Sequence, residues 1–176
     1  MASLSHLPRV RIQAHDFDLG AEVRDLRAGD AGVGAVVAFV GTVRDRGSAG
    51  SPQLSGMELE HYPGMTEKSI EAMVDEAVAR FQIRAVRVIH RVGPLALQDQ
   101  IVLVAVSSAH RAEAFQACEF LMDYLKTQAP FWKKEHAVDG SSRWVDARVA
   151  DDAALVRWGL DDVAGNAPPP QPAERP

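Results

Sequence analysis

Apolar and polar residues alternate in RVRIQAH (9–15), the two-residue period of a half-buried strand. DLGAEVRDLRAG (18–29) shifts to helical spacing, with Asp18 placed to cap its start and Gly29 to end it. VGAVVAFVGTVR (33–44) is almost unbroken apolar, which predicts a central strand buried on both faces. DRGSAGSPQ (45–53) has the composition of a flexible loop, and LSGMELEHY (54–62) resumes as a strand. In PGMTEKSIEAMVDEAVARF (63–81), residues Ile70, Met73, Val74, Ala77, Val78 and Phe81 fall on one helical face. AVRVIHRVG (85–93) and QIVLVAVSS (100–108) read as strands joined by a turn containing Pro94 and Asp99. HRAEAFQACEFLMDYLKTQ (110–128) is a helix with the stripe Ala114, Phe115, Cys118, Leu121, Met122 and Leu125. Pro130 stops it, because proline disfavours helical geometry in the residue before it. Short strands are expected through FWKKEHAVDGSSRWVDARV (131–149).

The resulting order is roughly βαββαββαββ. Strands come in adjacent pairs between helices, which favours an α+β fold with mostly antiparallel strands over a doubly wound parallel sheet. One domain over 9–158 is expected, preceded by a loose 1–8 and followed by a Pro-rich, disordered tail over 159–176.

Composition narrows the function classes. The formal net charge of −5 argues against a general nucleic-acid or membrane-surface binder, while leaving room for a local basic pocket. The single cysteine, Cys118, excludes an internal disulfide framework and an all-cysteine metal site. MASLSHLPRVRI lacks the apolar core of a signal peptide, and no apolar run approaches the roughly 20 residues of a membrane span. A cytoplasmic protein is expected.

Several chemistries find no support. His6, His15, His61, His90, His110 and His136 make neither H-x-H nor H-E-x-x-H, so no metal site is expected. Cys118 lies on the apolar stripe of its helix and reads as a small buried hydrophobe. There is no G-x-S-x-G elbow, and Ser107 and Ser108 read as helix caps. Phosphate-binding glycine loops are absent, and no cofactor is indicated. What stands out is a set of cations at structural corners. Arg44 follows the apolar run, and His110 and Arg111 open a helix. There the free backbone N–H groups already favour an anion and a cation opposes the dipole. Lys126 ends that helix, where a cation is favourable, and Lys133 follows seven residues later. Taken singly, each reads as a solvated charge; taken together, they predict an anionic ligand, such as a phosphate or carboxylate.

VGTVR, LEHYPGMTEK, VIHRVG, SSAHRAEAF, FLMDYLKTQAPFWKKE and RWVDAR follow one another in this order. In these segments the chain resembles the large, catalytic subunits of bacterial molybdopterin synthase, the MoaE family, from about residue 8 to about residue 158. The resemblance implies an α/β hammerhead fold and a homodimer. Each subunit would bind a small ubiquitin-like sulfur-carrier subunit, giving a heterotetramer. The implied reaction inserts two sulfurs, delivered as a thiocarboxylate on the carrier's C-terminal glycine, into cyclic pyranopterin monophosphate to form the molybdopterin dithiolene. The resemblance assigns Lys126 and Lys133 to catalysis and Arg44, His110 and Arg111 to substrate binding. Thr42, Val43, Lys134 and Glu135 lie in the matching binding segments, and Arg148 is a further pocket candidate. The family often carries lysine where this chain has Thr42.

Both implied reactants are anionic, which accounts for the cations. Two other classes stay open: a module that only docks a ubiquitin-like tail, and a phosphate-ester hydrolase. The helix from His110 to Gln128 contains neither Gly nor Pro and is expected to be continuous. Its sixteen steps from His110 to Lys126 span about 24 Å at 1.5 Å per residue. One straight helix cannot easily bring both ends to one small substrate, so sites shared between two copies of the chain are expected.

Overall fold

A computed structural model of the chain describes residues 8–46, 52–145 and 156–159. The named elements are β1 (Val10–Gln13), α1 (Leu19–Leu26), β2 (Ala35–Thr42), β3 (Leu54–His61), α2 (Met65–Arg80), β4 (Ile83–Arg91), β5 (Gly93–Ala96), β6 (Gln100–Ser108), α3 (Arg111–Gln128), β7 (Phe131–Ala137) and β8 (Ser142–Val145). They form two four-stranded sheets, ordered β1-β4-β6-β2 and β5-β3-β7-β8. Only β1 and β4 pair in parallel; the other named pairings are antiparallel. The α+β reading therefore holds, with one strand more than expected. β5 takes the last residue of the predicted strand, Gly93, and the first half of the predicted turn: Pro94 reads as a turn residue, but a proline without an N–H is tolerated on an edge strand.

The first sheet is covered on both faces. Val86, Val88, Val102, Val104 and Val106 meet Ile70, Met73 and Val74 of α2 and Ala117, Phe120, Leu121 and Leu125 of α3. The alternate residues Ile89, Leu103 and Ala105 pack against Phe17 and Leu26 beside α1. Full burial of side chains such as Phe120, Ile70 and Leu103 stabilises the fold by roughly 1.5–3 kcal/mol each. α1 is capped by Asp18, whose carboxylate accepts from Ala21 N at 2.9 Å. It ends before Gly29, with Arg27 as its C-cap. Buried Arg87 pairs with Glu22 at 3.0 Å and with Asp25, pinning α1 to β4.

Two expectations about burial are corrected. β2 is the free edge of its sheet, not a central strand, and Phe39 is 40% exposed. An apolar run reports apolar faces and says nothing about which backbone edge is paired. Val78 and Phe115 are 50% and 60% exposed. Both flank their helix stripes, and on α3 the buried positions go to Ala117 and Phe120. The loop expected over 45–53 is closed at its base by an Arg46–Gln53 bridge; 47–51 lie outside the described residues, as do 1–7 and 160–176.

Buried His90 stacks on Phe131, with ring centroids 3.8 Å apart and planes 17° from parallel. Its Nδ1 lies 2.9 Å from the Arg91 carbonyl. Burial pushes its pKa down from 6.5 to about 4. Between those values the unfolded chain takes up a proton that the folded chain refuses, so stability falls as pH falls through that window. The loss approaches about 3 kcal/mol, at about 1.4 kcal/mol per pH unit. Urea unfolding from pH 7 to pH 4 should show the wild-type advantage over His90→Phe shrinking as the medium is acidified. A constant difference would contradict this account.

Candidate active site

The segment after β2 is held by backbone hydrogen bonds and by one buried side chain. Gly41 pairs with Val102 and Thr42 with Gln100, so Ile101 bulges from β6. Val43 N donates to Asp99 O at 3.0 Å, and Val43 O accepts from Gln98 N at 2.8 Å. Gln98 has φ 71°, and among the described residues it is the only non-glycine in the left-handed region. Such irregularities gather where a chain must aim a side chain. Val43 is buried with Met57, Leu59 and Leu95 and anchors the segment. Thr42 and Arg44, on either side of it, are exposed.

β7 presents two faces. Lys133 lies opposite Leu59 and Glu135 opposite Met57, so both share a face with the Val43 cluster. Lys134 projects the other way, its ammonium 5.5 Å from the centre of the Trp144 ring. Trp132 shares that outer face and sits 5.4 Å from Tyr62. Glu135 is 2% exposed. Lys133 Nζ approaches Glu135 Oε1 at 3.0 Å as an ion pair outside hydrogen-bond geometry. Arg143 Nη2 donates to Glu135 Oε2 at 3.3 Å.

Lys126 is exposed in the last turn of α3, just before the chain turns into β7. That corner is anchored by buried Thr66, whose hydroxyl donates to Pro130 O at 3.3 Å and accepts from Tyr62 N at 3.0 Å. Ala129 is extended, as the following proline requires. Lys126 and Lys133 therefore stand on the two arms of one fixed corner.

His110 and Arg111 are elsewhere. His110 is the N-cap of α3 and makes no side-chain cap bond. Ser107 and Ser108, expected as caps, are buried strand residues; the Ser108 hydroxyl donates to Gln82 O at 2.7 Å and accepts from His110 N at 3.3 Å. Gly34, just before β2, donates to Ser108 O at 3.0 Å, and a Cβ there would lie 2.3 Å from Ala109 O. This tight approach sets His110 and Arg111 at the start of β2, whereas Arg44 follows its end. An eight-residue strand spans about 27 Å. The unbroken α3 likewise separates Arg111 from Lys126. One chain thus gathers Arg44, Lys126, Lys133 and Glu135 toward one end and leaves His110 and Arg111 at the other. Arg148 lies outside the described residues. Arg143 had no sequence signal, because only the β7–β8 register sets it opposite Glu135.

Cys118 is buried, with Sγ 3.6 Å from Val104 O, and burial pushes its pKa up to about 11. A thiol held protonated at neutral pH is a poor nucleophile. Folded protein should resist iodoacetamide at pH 7.5 and react once unfolded in urea; rapid modification of the folded chain, followed by mass spectrometry, would contradict this. Among the described residues no group of three His, Cys, Asp or Glu could hold a metal ion. No helix there is long and apolar enough to cross a membrane.

Residues 12–128 match the family model described as MoaE protein. The chain belongs to the MoaE family. It is 58% identical over 161 residues to the molybdopterin synthase catalytic subunit of Ralstonia nicotianae, covering 92% of this chain and 89% of that one. Among solved structures, the molybdopterin biosynthesis MoaE protein of Burkholderia ambifaria is 56% identical with a TM-score of 0.74, covering 87% of this chain and 99% of that one. A molybdopterin synthase structure from Staphylococcus aureus is 31% identical with a TM-score of 0.71, covering 80% and 98%. The matched family segment contains Thr42, Val43, Arg44, His110, Arg111 and Lys126, while Lys133, Lys134, Glu135 and Arg143 lie beyond it.

Proposed function

We propose that this MoaE-family chain is the catalytic subunit of a molybdopterin synthase, a sulfurtransferase of molybdenum cofactor biosynthesis. The observation that carries the reading is the anchored corner bearing Lys126 and Lys133, in a chain of net charge −5. The substrate is cyclic pyranopterin monophosphate. The sulfur donor is the thiocarboxylate on the C-terminal glycine of a small ubiquitin-like carrier subunit. Lys126 and Lys133 attract that thiocarboxylate and hold it against the precursor. Their ammonium groups stabilise oxyanions that develop during transfer, and one of them moves protons as the cyclic phosphate opens. Arg44, His110 and Arg111 hold the substrate. The setting is the cytoplasm. The test is a reconstitution of chain, thiocarboxylated carrier and precursor, assayed for the dithiolene. Phosphate release without carrier would instead select a hydrolase, and carrier binding without sulfur transfer a docking module.

The working unit in this reading is a homodimer with one carrier on each subunit. Support comes from β2, an edge strand with apolar residues and an exposed Phe39. Unpaired, apolar edges are templates for pairing with another chain. Antiparallel pairing of two β2 strands about a two-fold axis sets the start of one beside the end of the other. His110 and Arg111 of one copy then approach Arg44, Lys126 and Lys133 of the second, making two composite sites.

Carrier docking should weaken as salt rises, because the carrier's terminal anion meets lysines. It should weaken again when the carrier lacks its last glycines. Calorimetric titrations that give equal affinities for full-length and truncated carriers would argue against insertion of the tail.

A further inference from the structure

When a carrier gives up its sulfur, the carbon–sulfur bond at its terminal glycine breaks and a carbon–oxygen bond to water forms. The water must then lose a proton. In the ammonium form that attracts the tail, Lys126 and Lys133 donate protons but have no lone pair to accept one. His61 stands at the same corner. It is the last residue of β3 and pairs with Phe131, the first residue of β7. Lys126 precedes Phe131 by five residues and Lys133 follows it by two. His61 has the parity of Met57 and Leu59, so it shares the inner face with Lys133. The two are diagonal neighbours, about 7–8 Å apart along the backbone and within reach of long side chains. The imidazole is 19% exposed, and its Nε2 lies 3.6 Å from Glu67 Oε1, an ion-pair distance beyond hydrogen-bond length. The other Glu67 oxygen accepts from Gly64 N at 2.6 Å in the first turn of α2, which fixes the carboxylate. His90 of β4 is the other imidazole nearby, but it is buried away from any reactant. The titratable groups facing His61 are thus Glu67 from α2, His90 from β4 and Lys133 from β7.

We propose that His61 is the general base that takes the proton of the water freeing the carrier's carboxylate, and that Glu67 is a positioning residue that acts through His61. The proposal rests on the sulfur-transfer reading and supplies the proton acceptor that reading lacks. The water oxygen joins the carbonyl carbon of the terminal glycine, and the water proton passes to the imidazole. Sulfur leaves that carbon with the bonding electron pair and stays on the precursor as a thiolate. Glu67 holds Nε2 toward its carboxylate and stabilises the imidazolium, which leaves Nδ1 to take the proton. An imidazole suits this task because its ordinary titration falls nearest neutral pH.

The experiment uses full-length chain with the thiocarboxylated carrier and the precursor, with kcat and KM followed from about pH 8 to about pH 5.5. Wild-type kcat should fall on the acid side, because a protonated imidazole is no longer a base. His61→Gln should lower kcat about a hundredfold at neutral pH, leave KM for both reactants within about twofold, and abolish the acid limb. Glu67→Gln keeps an oxygen for Gly64 N but removes the charge that favours the imidazolium. It should lower kcat about fivefold and move the acid limb to lower pH, yet cost less than about twofold when His61 is already Gln. Melting curves at each pH establish that each variant is folded. If His61→Gln does not fold, the limb of Glu67→Gln still decides. A His61→Gln kcat within twofold of wild type overturns the proposal. So does an acid limb that survives in that variant, which is what a merely structural histidine would give, or a limb unmoved in Glu67→Gln. An inactive wild type would instead defeat the sulfur-transfer reading itself.

Discussion

Lys126→Ala should lose about a hundredfold in sulfur-transfer rate, equivalent to about 3 kcal/mol of transition-state stabilisation, while folding almost as well as wild type. The asymmetry follows from position. Lys126 is exposed in the last turn of α3, where its charge complements the helix dipole. Removing it should cost only about 0.5–1 kcal/mol of stability. In the proposed reaction the same ammonium meets a thiocarboxylate and the charge that develops when it is attacked. Lys126→Arg should also be poor where proton transfer matters, because a guanidinium does not give up its proton. Single-turnover kinetics beside melting curves check this. Near-wild-type transfer by folded Lys126→Ala would defeat the catalytic assignment.

Mixing two inactive chains should restore activity. The expected partners are Lys126→Ala and Arg111→Ala, each first shown to be folded and nearly inactive alone. Arg111 and Lys126 lie in the first and last turns of one unbroken helix. The fifteen steps between them span about 22 Å, too far for one small substrate. If sites are shared across a two-fold axis, the mixed dimer carries one site with both residues intact and one with both lost. Activity per mixed dimer should then return toward half of wild type. If each site lies within one chain, every site carries a lesion and nothing returns. Absence of rescue in a verified mixed dimer would overturn the composite site.

How far the sequence foretold these features depended on whether a signal was local. The α3 boundaries were legible because helical spacing runs without Gly or Pro to a proline that forbids its continuation. Asp18 was legible as a cap because its chemistry acts within one turn. β4 and β6 read correctly as strands because both of their faces are apolar. β2 carried the same apolar signal and was misplaced, because strand order depends on partners that periodicity does not encode. Phe115 and Val78 were placed inside for a related reason: an apolar residue at the margin of a stripe looks the same whether or not something covers it. In the candidate site, Lys126, Lys133 and Arg44 stood out as cations at element ends. The burial of Glu135 and its contact with Arg143 did not, since both follow from the register of β7 against β3 and β8.

The most direct measurement is the mass of the product formed when the carrier is loaded with heavy-isotope sulfur. The account predicts a dithiolene pterin containing two heavy sulfur atoms, formed only with both this chain and the thiocarboxylated carrier present. A product without the heavy label, or phosphate released from the precursor in the absence of carrier, would contradict it.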